Sequence, residues 1–557
     1  MAPSASAAVF FWVGTDGNGN NNSQWENATN WSATRTGVGG VGIPGAGDKA
    51  VLTKGTGSHV VRIRSILSVG AIELNNLWTG SLLIGTGTLK IGTGGLRIGS
   101  GYFVGGTSPI SLSGSYTQTG GIVRGLQGTL SLSGSMTITT PGATPTYFTS
   151  TGTIVFSGFG TQTFTPLQRG RFKNMIVRNN GRNGANSIVI ATNNLALSGS
   201  LTISQGRLDL STNSKTLRMN GITIANYASG ALVTNSDVTN SGSVTISGSS
   251  PTVTISAGTW TQVSQSNTTL NFAGKPVYNF TLNNTGVSGS KTETLGGALN
   301  MSGALTITSG VLDTSTTNYG MSITGAMNNS GTFNANGSAI TVGGNWTTQA
   351  SGSFAGGTST VTMNGANKTL SGSTTFYRFV KSPSGNDTLN FAVGTTTTTT
   401  NRLTLASAAG TLSLRSTTNG SRYTVAAVGN VYTIGTLDVK DSDASYTIVC
   451  QDCTNSGNNS DGWVFTTTSA STTTTSGTSG GGGSGGGGGR AYLNTSTPAP
   501  ATPAPRAPVV PVTKVTPPNK QVPRTLSERL QERRRAREAA LTRIKERAAQ
   551  RKAKSRR

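Results

Sequence analysis

The stretch LLIGTGTLKIGTGGLRIGSGYFVGG, residues 82–106, places Leu82, Leu89 and Leu96 seven residues apart. Each leucine opens a short run, and within the runs side chains alternate, as in Leu89-Lys90-Ile91 and Leu96-Arg97-Ile98. Alternation is the period of a strand and excludes a helix here, while glycine every few residues marks tight corners. Strands this short cannot bury their apolar sides alone. Stacked at about 4.8 Å, however, each backbone pairs with the coils before and after it. The inward Leu, Ile, Val and Phe then share one narrow core. The stretch predicts a parallel β-solenoid (β-helix), of the right-handed type.

Longer repeats extend this reading along the chain. LALSGSLTISQGRLDLSTNSKTLRMNG from Leu195 aligns without gaps to LNMSGALTITSGVLDTSTTNYGMSITG from Leu299, an offset of 104 residues. Gly199 matches Gly303, Ile203 matches Ile307, Leu208-Asp209 matches Leu312-Asp313 and Gly221 matches Gly325. Self-similarity of this kind is the mark of stacked architectures. Coils of roughly 20–25 residues are expected, with Ser and Thr laddered outside, an arrangement that would suit the six threonines from Thr395. The competing arrangement is a string of β-sandwiches of about 100 residues each. The 104-residue offset permits it, but the seven-residue leucine spacing favours coils.

Composition narrows the function classes. Of 557 residues 78 are Gly, only 11% are charged and 18 are acidic, against about 25% charged in an average soluble protein. The two ends of the repeat region look different from its middle. FFWVGTDGNGNNNSQWENATNWS brings Trp12, Trp25 and Trp31 before the repeats, and NSGNNSDGWVF brings Trp463 after them. Open solenoid ends must be protected against edge-to-edge association, so these four tryptophans are read as cap residues. The expected organisation is an N-terminal cap over residues 1–50, solenoid repeats over 51–435 and a C-terminal cap over 436–465.

The opening WVGTDG…QWENATNWSATRTGVGGVGIPGAGDKAVL resembles the start of Ser/Thr/Gly-rich β-solenoid structural proteins of tailed phages and of bacterial surface, adhesin-like repeat proteins. The matching residues are Trp12, Val13, Gly14, Trp25, Asn30, Trp31, Ser32, Pro44, Asp48 and Val51. The ending NSGNNSDGWVF resembles the terminal motif of such bacterial repeat proteins. The resemblance covers residues 10–465. It implies a projecting structural or adhesive rod on a virion or a cell surface, with host-surface glycans as one partner class.

Beyond Phe465 the character of the chain changes. Residues 466–496 are a Gly/Ser/Thr linker too poor in apolar side chains to order itself. Residues 497–523 are a Pro-rich spacer that favours extended polyproline II. Residues 524–557 carry 14 Lys and Arg with four Glu, begin on a capping-box pattern, Thr525-x-x-Glu528, and are rich in helix formers. The last 68 residues hold 18 Lys and Arg against four Glu, more than half of the chain's net charge of +25. A basic C-terminal α-helix is therefore expected to dock on an acidic surface or polyanion: a particle protein, an envelope or, without sequence preference, nucleic acid. The residues that would make the attachment are Arg529, Arg533, Arg534, Arg535, Arg537, Arg543, Lys545, Arg547, Arg551, Lys552 and Lys554. A solvated, solubilising tail is the competing reading.

Catalytic and metal chemistry find little support. Glycoside hydrolysis needs two carboxylates in one cleft, and only Asp438, Asp441, Asp443, Asp452 and Asp461 cluster in sequence. They lack the spacing of a calcium loop and read as solvated turn acids; a calcium site is the lesser alternative. Cys450-x-x-Cys453 cannot complete a four-ligand zinc site, because His59 is the single histidine; the pair reads as structural, either free or in a local disulfide. No apolar run is long enough to span a membrane. The N-terminus lacks the pattern of a signal peptide, an expected feature of a virion protein that leaves its host by lysis. The expectation is thus a non-enzymatic protein without cofactor or metal. A virion appendage or decoration component comes first, a bacterial adhesin second, and a polysaccharide-binding or -degrading β-helix third.

Overall fold

The computed structural model describes residues 7–14, 23–53, 59–139, 147–167, 170–179, 188–225, 231–248, 251–285 and 291–467. The expected linker beyond residue 467, the Pro-rich spacer and the basic helix lie outside the described residues. Within them the fold is all-β, a parallel β-solenoid, with helix limited to short 3-10 turns such as Ala28–Asn30 and Val428–Asn430.

The seven-residue spacing of the decisive stretch has a direct structural meaning. Leu82 pairs with Phe103, Leu89 with Ile110 and Leu96 with Tyr116, all in parallel register. Each apolar position seven residues on therefore begins a new face, and three faces close a coil of about 21 residues. The strand Leu89–Ile98 turns such a corner internally. Its first half pairs with Leu67–Val69, its second with Ala71–Leu74, and the register shifts between them. The corner needs Gly95, which sits at φ +74° and where a Cβ would fall 2.2 Å from the Ser115 carbonyl oxygen. Only glycine adopts that backbone beside so close a neighbour without strain.

Inward residues of the three faces make one continuous core, running from Trp12 to Trp463. It is built from single Leu, Ile, Val, Met and Phe side chains stacked rung on rung, each contributing about 1.5–3 kcal/mol on full burial. Interior amides occupy some corners. Gln118, Asn240 and Gln262 are buried, and their side-chain NH2 groups donate to turn carbonyls at Gly121, Gly242 and Gly242, respectively. Such amides give buried polar groups and turn carbonyls hydrogen-bond partners inside the prism.

The 104-residue repeat does not map coil onto equivalent coil. Leu195 lies on the face that continues through Leu217 and Val238, whereas its counterpart Leu299 lies on the face of Met321 and Ile340. Leu305, the counterpart of Leu201, has in turn moved onto the face of Phe280 and Met327. The copies are displaced by one face, because a short strand with an apolar inward row suits any side of the prism.

The threonine run also departs from expectation. Strand Thr396–Leu405 alternates, so Thr397 and Thr399 are buried and only every second threonine can face out. Thr397 pairs in register with Thr374, whose hydroxyl donates to the Thr348 hydroxyl at 2.9 Å inside the prism.

Candidate functional site

The four tryptophans read as caps are all buried, and so are Trp78, Trp260 and Trp346. Trp31 packs edge-on against both Trp12 and Trp25, at 5.2 and 4.6 Å between ring centroids, and its indole N–H donates to the Trp25 carbonyl at 2.8 Å. The strand Val9–Trp12 pairs in parallel with Lys49–Leu52 and antiparallel with Trp31–Ser32. This is the one antiparallel strand pair among the described residues. At the other end the indole N–H of Trp463 donates to the Ser442 hydroxyl at 3.0 Å, and Trp463 stacks on Phe465. None of the seven indoles is therefore a platform for stacking a sugar. His59 is buried and stacked on Trp78, at 5.8 Å.

The body carboxylates are engaged by their own surroundings. Glu26 accepts from the Arg64 and Ser65 amides at 2.8 and 3.0 Å; burial works against its charge, but these bonds hold its pKa below the usual value. Asp209 is buried beside Arg207, whose guanidinium lies 2.8 Å away. Burial again opposes its charge, and bonds from Thr212 and Ser211 with the Arg207 charge outweigh it, so its pKa is lowered. Asp387 forms a buried ion pair with Lys381 and accepts from the Asn367 and Thr388 amides, both at 2.7 Å.

The sequence cluster near the C-terminal end is dispersed in the same way. Asp438 pairs with Arg415, and Asp443 pairs with Arg422 at 3.0 Å. Asp441 accepts from the Asn458 side chain at 2.7 Å and from the Gly420 amide at 3.1 Å. Among the described residues no three His, Cys, Asp or Glu side chains converge in a way that could hold a metal ion. Cys450 and Cys453 are joined in a disulfide, so the local pairing is the form the structure adopts. All eleven predicted attachment residues, Arg529 to Lys554, lie outside the described residues, so the tail contributes nothing to this geometry.

One carboxylate is different. Glu293 is fully buried, and the Asn284 amide donates to it at 2.8 Å, with the Thr268 hydroxyl and the Gln262 amide also bonded to it. Burial outweighs these bonds and raises its pKa. Its place inside the prism was not legible in sequence, since Thr-Glu-Thr, residues 292–294, reads as an ordinary alternating strand with Glu293 on either side.

The outer surface carries a ladder along one face. Arg218 is followed in register by Thr239, Thr261, Thr281, Thr306, Asn328 and Thr347. Before Arg218 the same ladder runs through Thr149, Arg171 and Ala196. At this earlier part an open cavity of about 700 Å³ is lined by Arg171, Lys173, Arg218, Thr149, Ser198 and Asn220, among others, and by no carboxylate. Among the described residues no helix is long and apolar enough to cross a membrane. Compared with protein-family profiles, curated proteins and solved structures, the chain has no match in any of the three.

Proposed function

We propose that this is a non-catalytic structural or adhesive β-solenoid displayed outside a cell, as an appendage or decoration component of a phage virion. The observation that carries the reading is the engagement of the carboxylates. Acid–base catalysis requires groups free to exchange protons with a substrate in a cleft. Here Glu26, Asp387, Asp438, Asp441 and Asp443 are tied to neighbouring coils, and Asp209 is tied to its own strand and turn. The acids serve the stack, and the hydroxyl ladder from Thr239 serves the water-facing surface.

In this reading the Trp12–Trp25–Trp31 cluster and the Trp463–Phe465 pair close the ends of the stack, and the basic segment of residues 524–557 is the foot. It attaches the rod to an acidic particle or envelope surface by charge neutralisation, which weakens with salt. Removing residues 524–557 should release most of the protein from purified particles, and raising the salt on the intact protein should do the same. Mass spectrometry of washed particles reads both results. Full retention of the truncated chain at low and high salt would end the attachment reading.

The bacterial adhesin is the second reading, and the Cys450–Cys453 disulfide is the observation that favours it. Structural disulfides persist in oxidising compartments and at surfaces, a route taken by an exported adhesin before it is displayed. A protein found in cell-envelope fractions and missing from particles would move the assignment to this alternative.

A further inference from the structure

Between Glu73 and Asp209 the chain contains nine Lys and Arg and no acid. Some cations of the body pair with carboxylates: Lys49 and Arg97 on Glu73, Arg207 on Asp209, Lys381 on Asp387, Arg415 on Asp438 and Arg422 on Asp443. Arg171, Lys173 and Arg218 have no carboxylate partner among the described residues, and all three are exposed. They line one cavity of about 700 Å³.

The register explains how the cavity forms. Phe172 pairs with Leu197 and Ala196 with Arg218, so the outward ladder reads Arg171, Ala196, Arg218 over three successive coils. The alanine leaves a gap that a longer side chain would fill. The two guanidinium-bearing rungs stand about 9.6 Å apart, two strand spacings, with Lys173 two residues on from Arg171. Thr149 and Ser198 supply hydroxyls, Asn220 supplies an amide, and Leu197 and Met219 are the buried floor.

We propose that this groove binds a linear polysaccharide bearing sulfate or carboxylate groups. Guanidinium groups bind such anions bidentately, and the cavity has the size of a small-ligand site. The hydroxyl and amide groups suit the neutral hydroxyls of a sugar ring between the charges. A single-stranded nucleic acid would want exposed aromatic faces for its bases, and the one aromatic lining residue, Phe172, is buried. A neutral glycan would leave three cations without partners. The inference deepens the adhesive reading proposed above by naming the class of glycan, and it rests on that reading for where the ligand is met.

The test uses the full chain and fluorescence anisotropy with four labelled probes: a heparin hexasaccharide, a hexagalacturonate, cellohexaose and a thymidine hexanucleotide. Wild type should bind one or both anionic hexasaccharides and not cellohexaose. The double variant Arg171→Ser, Arg218→Ser should lose about tenfold per arginine, roughly 100-fold in all, since hydrogen bonds to charged groups are the strong ones. Arg171→Lys with Arg218→Lys should lose less, because charge remains while the fork is gone. Because the basic tail can itself take up an anionic probe, the groove variants are also made with Arg533, Arg534, Arg535 and Arg537 replaced by Ser, and the loss caused by the groove substitutions should persist on that background.

Preference for the sulfated or the uronate probe identifies the chemistry and supports the proposal either way. Three results overturn it: no anionic hexasaccharide binding, loss confined to the tail variant, or equal binding of the hexanucleotide lost in the groove variant. The groove variants alter exposed outward positions, so their melting temperature should match wild type and confirm folding. Particle or envelope retention of the groove variants is measured in parallel. Retention with lost binding keeps the attachment reading and places the fault or the success in the groove alone.

Discussion

The two stretches of solenoid on either side of Asp209 are built to the same cross-section with different side-chain economies. Residues 74–208 hold their coils with apolar rungs, turn glycines and backbone ladders, and contain no acid. Residues 209–465 contain ten acids and eleven Lys and Arg, and they add ion pairs between coils, such as Arg415–Asp438 and Arg422–Asp443, and within a coil, as in Lys381–Asp387. One backbone architecture thus tolerates both solutions. What separates them is the use of charge: the first stretch carries its cations with no acid of its own, while the second joins some of its cations, Lys381, Arg415 and Arg422, to its own carboxylates.

The largest expected effect tests this division directly. Asp387→Ala would strand Lys381, whose side chain is 1% exposed, and an uncompensated buried charge costs about 3–5 kcal/mol. Arg97→Ala, on the half-exposed pair with Glu73, should cost less than about 1 kcal/mol. Denaturant unfolding of the two variants reads the contrast, and comparable losses would show that the acid-free stretch depends on charge as much as the other.

A second test separates the acids by pH. Asp209, Asp387 and Asp441 have lowered pKa values: burial opposes their charge, and hydrogen bonds together with neighbouring cations win. Their stabilisation is complete above the ordinary carboxylate range, near about pH 4, and is lost as pH falls through the lower folded values. Glu293 has the opposite sign. Its contribution is complete below its ordinary pKa and is lost as pH rises through the raised folded value. Glu293→Gln should therefore raise Tm at pH 8 and change it little at pH 3, by calorimetry. A fall in Tm at pH 8 would mean that the charge itself is required by Asn284, Thr268 and Gln262.

The smallest effect is expected on the outer ladder. Thr261→Ala removes one hydroxyl between Thr239 and Thr281 and should shift stability by no more than about 0.5 kcal/mol. A larger loss would make the hydroxyl row a structural seam and not simply a hydrated surface.

Most of the scaffold was legible in sequence because inward positions recur at a spacing set by geometry. Leu82, Leu89 and Leu96 announce both the strand period and the length of a coil side. The burial of Trp12, Trp25, Trp31 and Trp463 followed from their size and their place beside the repeats. The inward half of the threonine run was missed, since threonine suits either side of a strand and hydroxyls can bond to one another inside the prism. The groove was missed for a different reason. Arg171 and Arg218 are 47 residues apart in sequence, and only the coil register brings them two rungs from each other across Ala196.

The displacement of the 104-residue copies by one face has a consequence for how such a chain can change length. Its modular unit is a single side of the prism, a strand and its corner, and not a whole turn. Duplication or loss of a segment need not conserve complete turns to leave every ladder intact; it rotates the downstream surface pattern by a third of a revolution. Length and the angular position of a surface feature are therefore coupled, so an insertion far from the groove could re-aim everything beyond it without altering a single contact within.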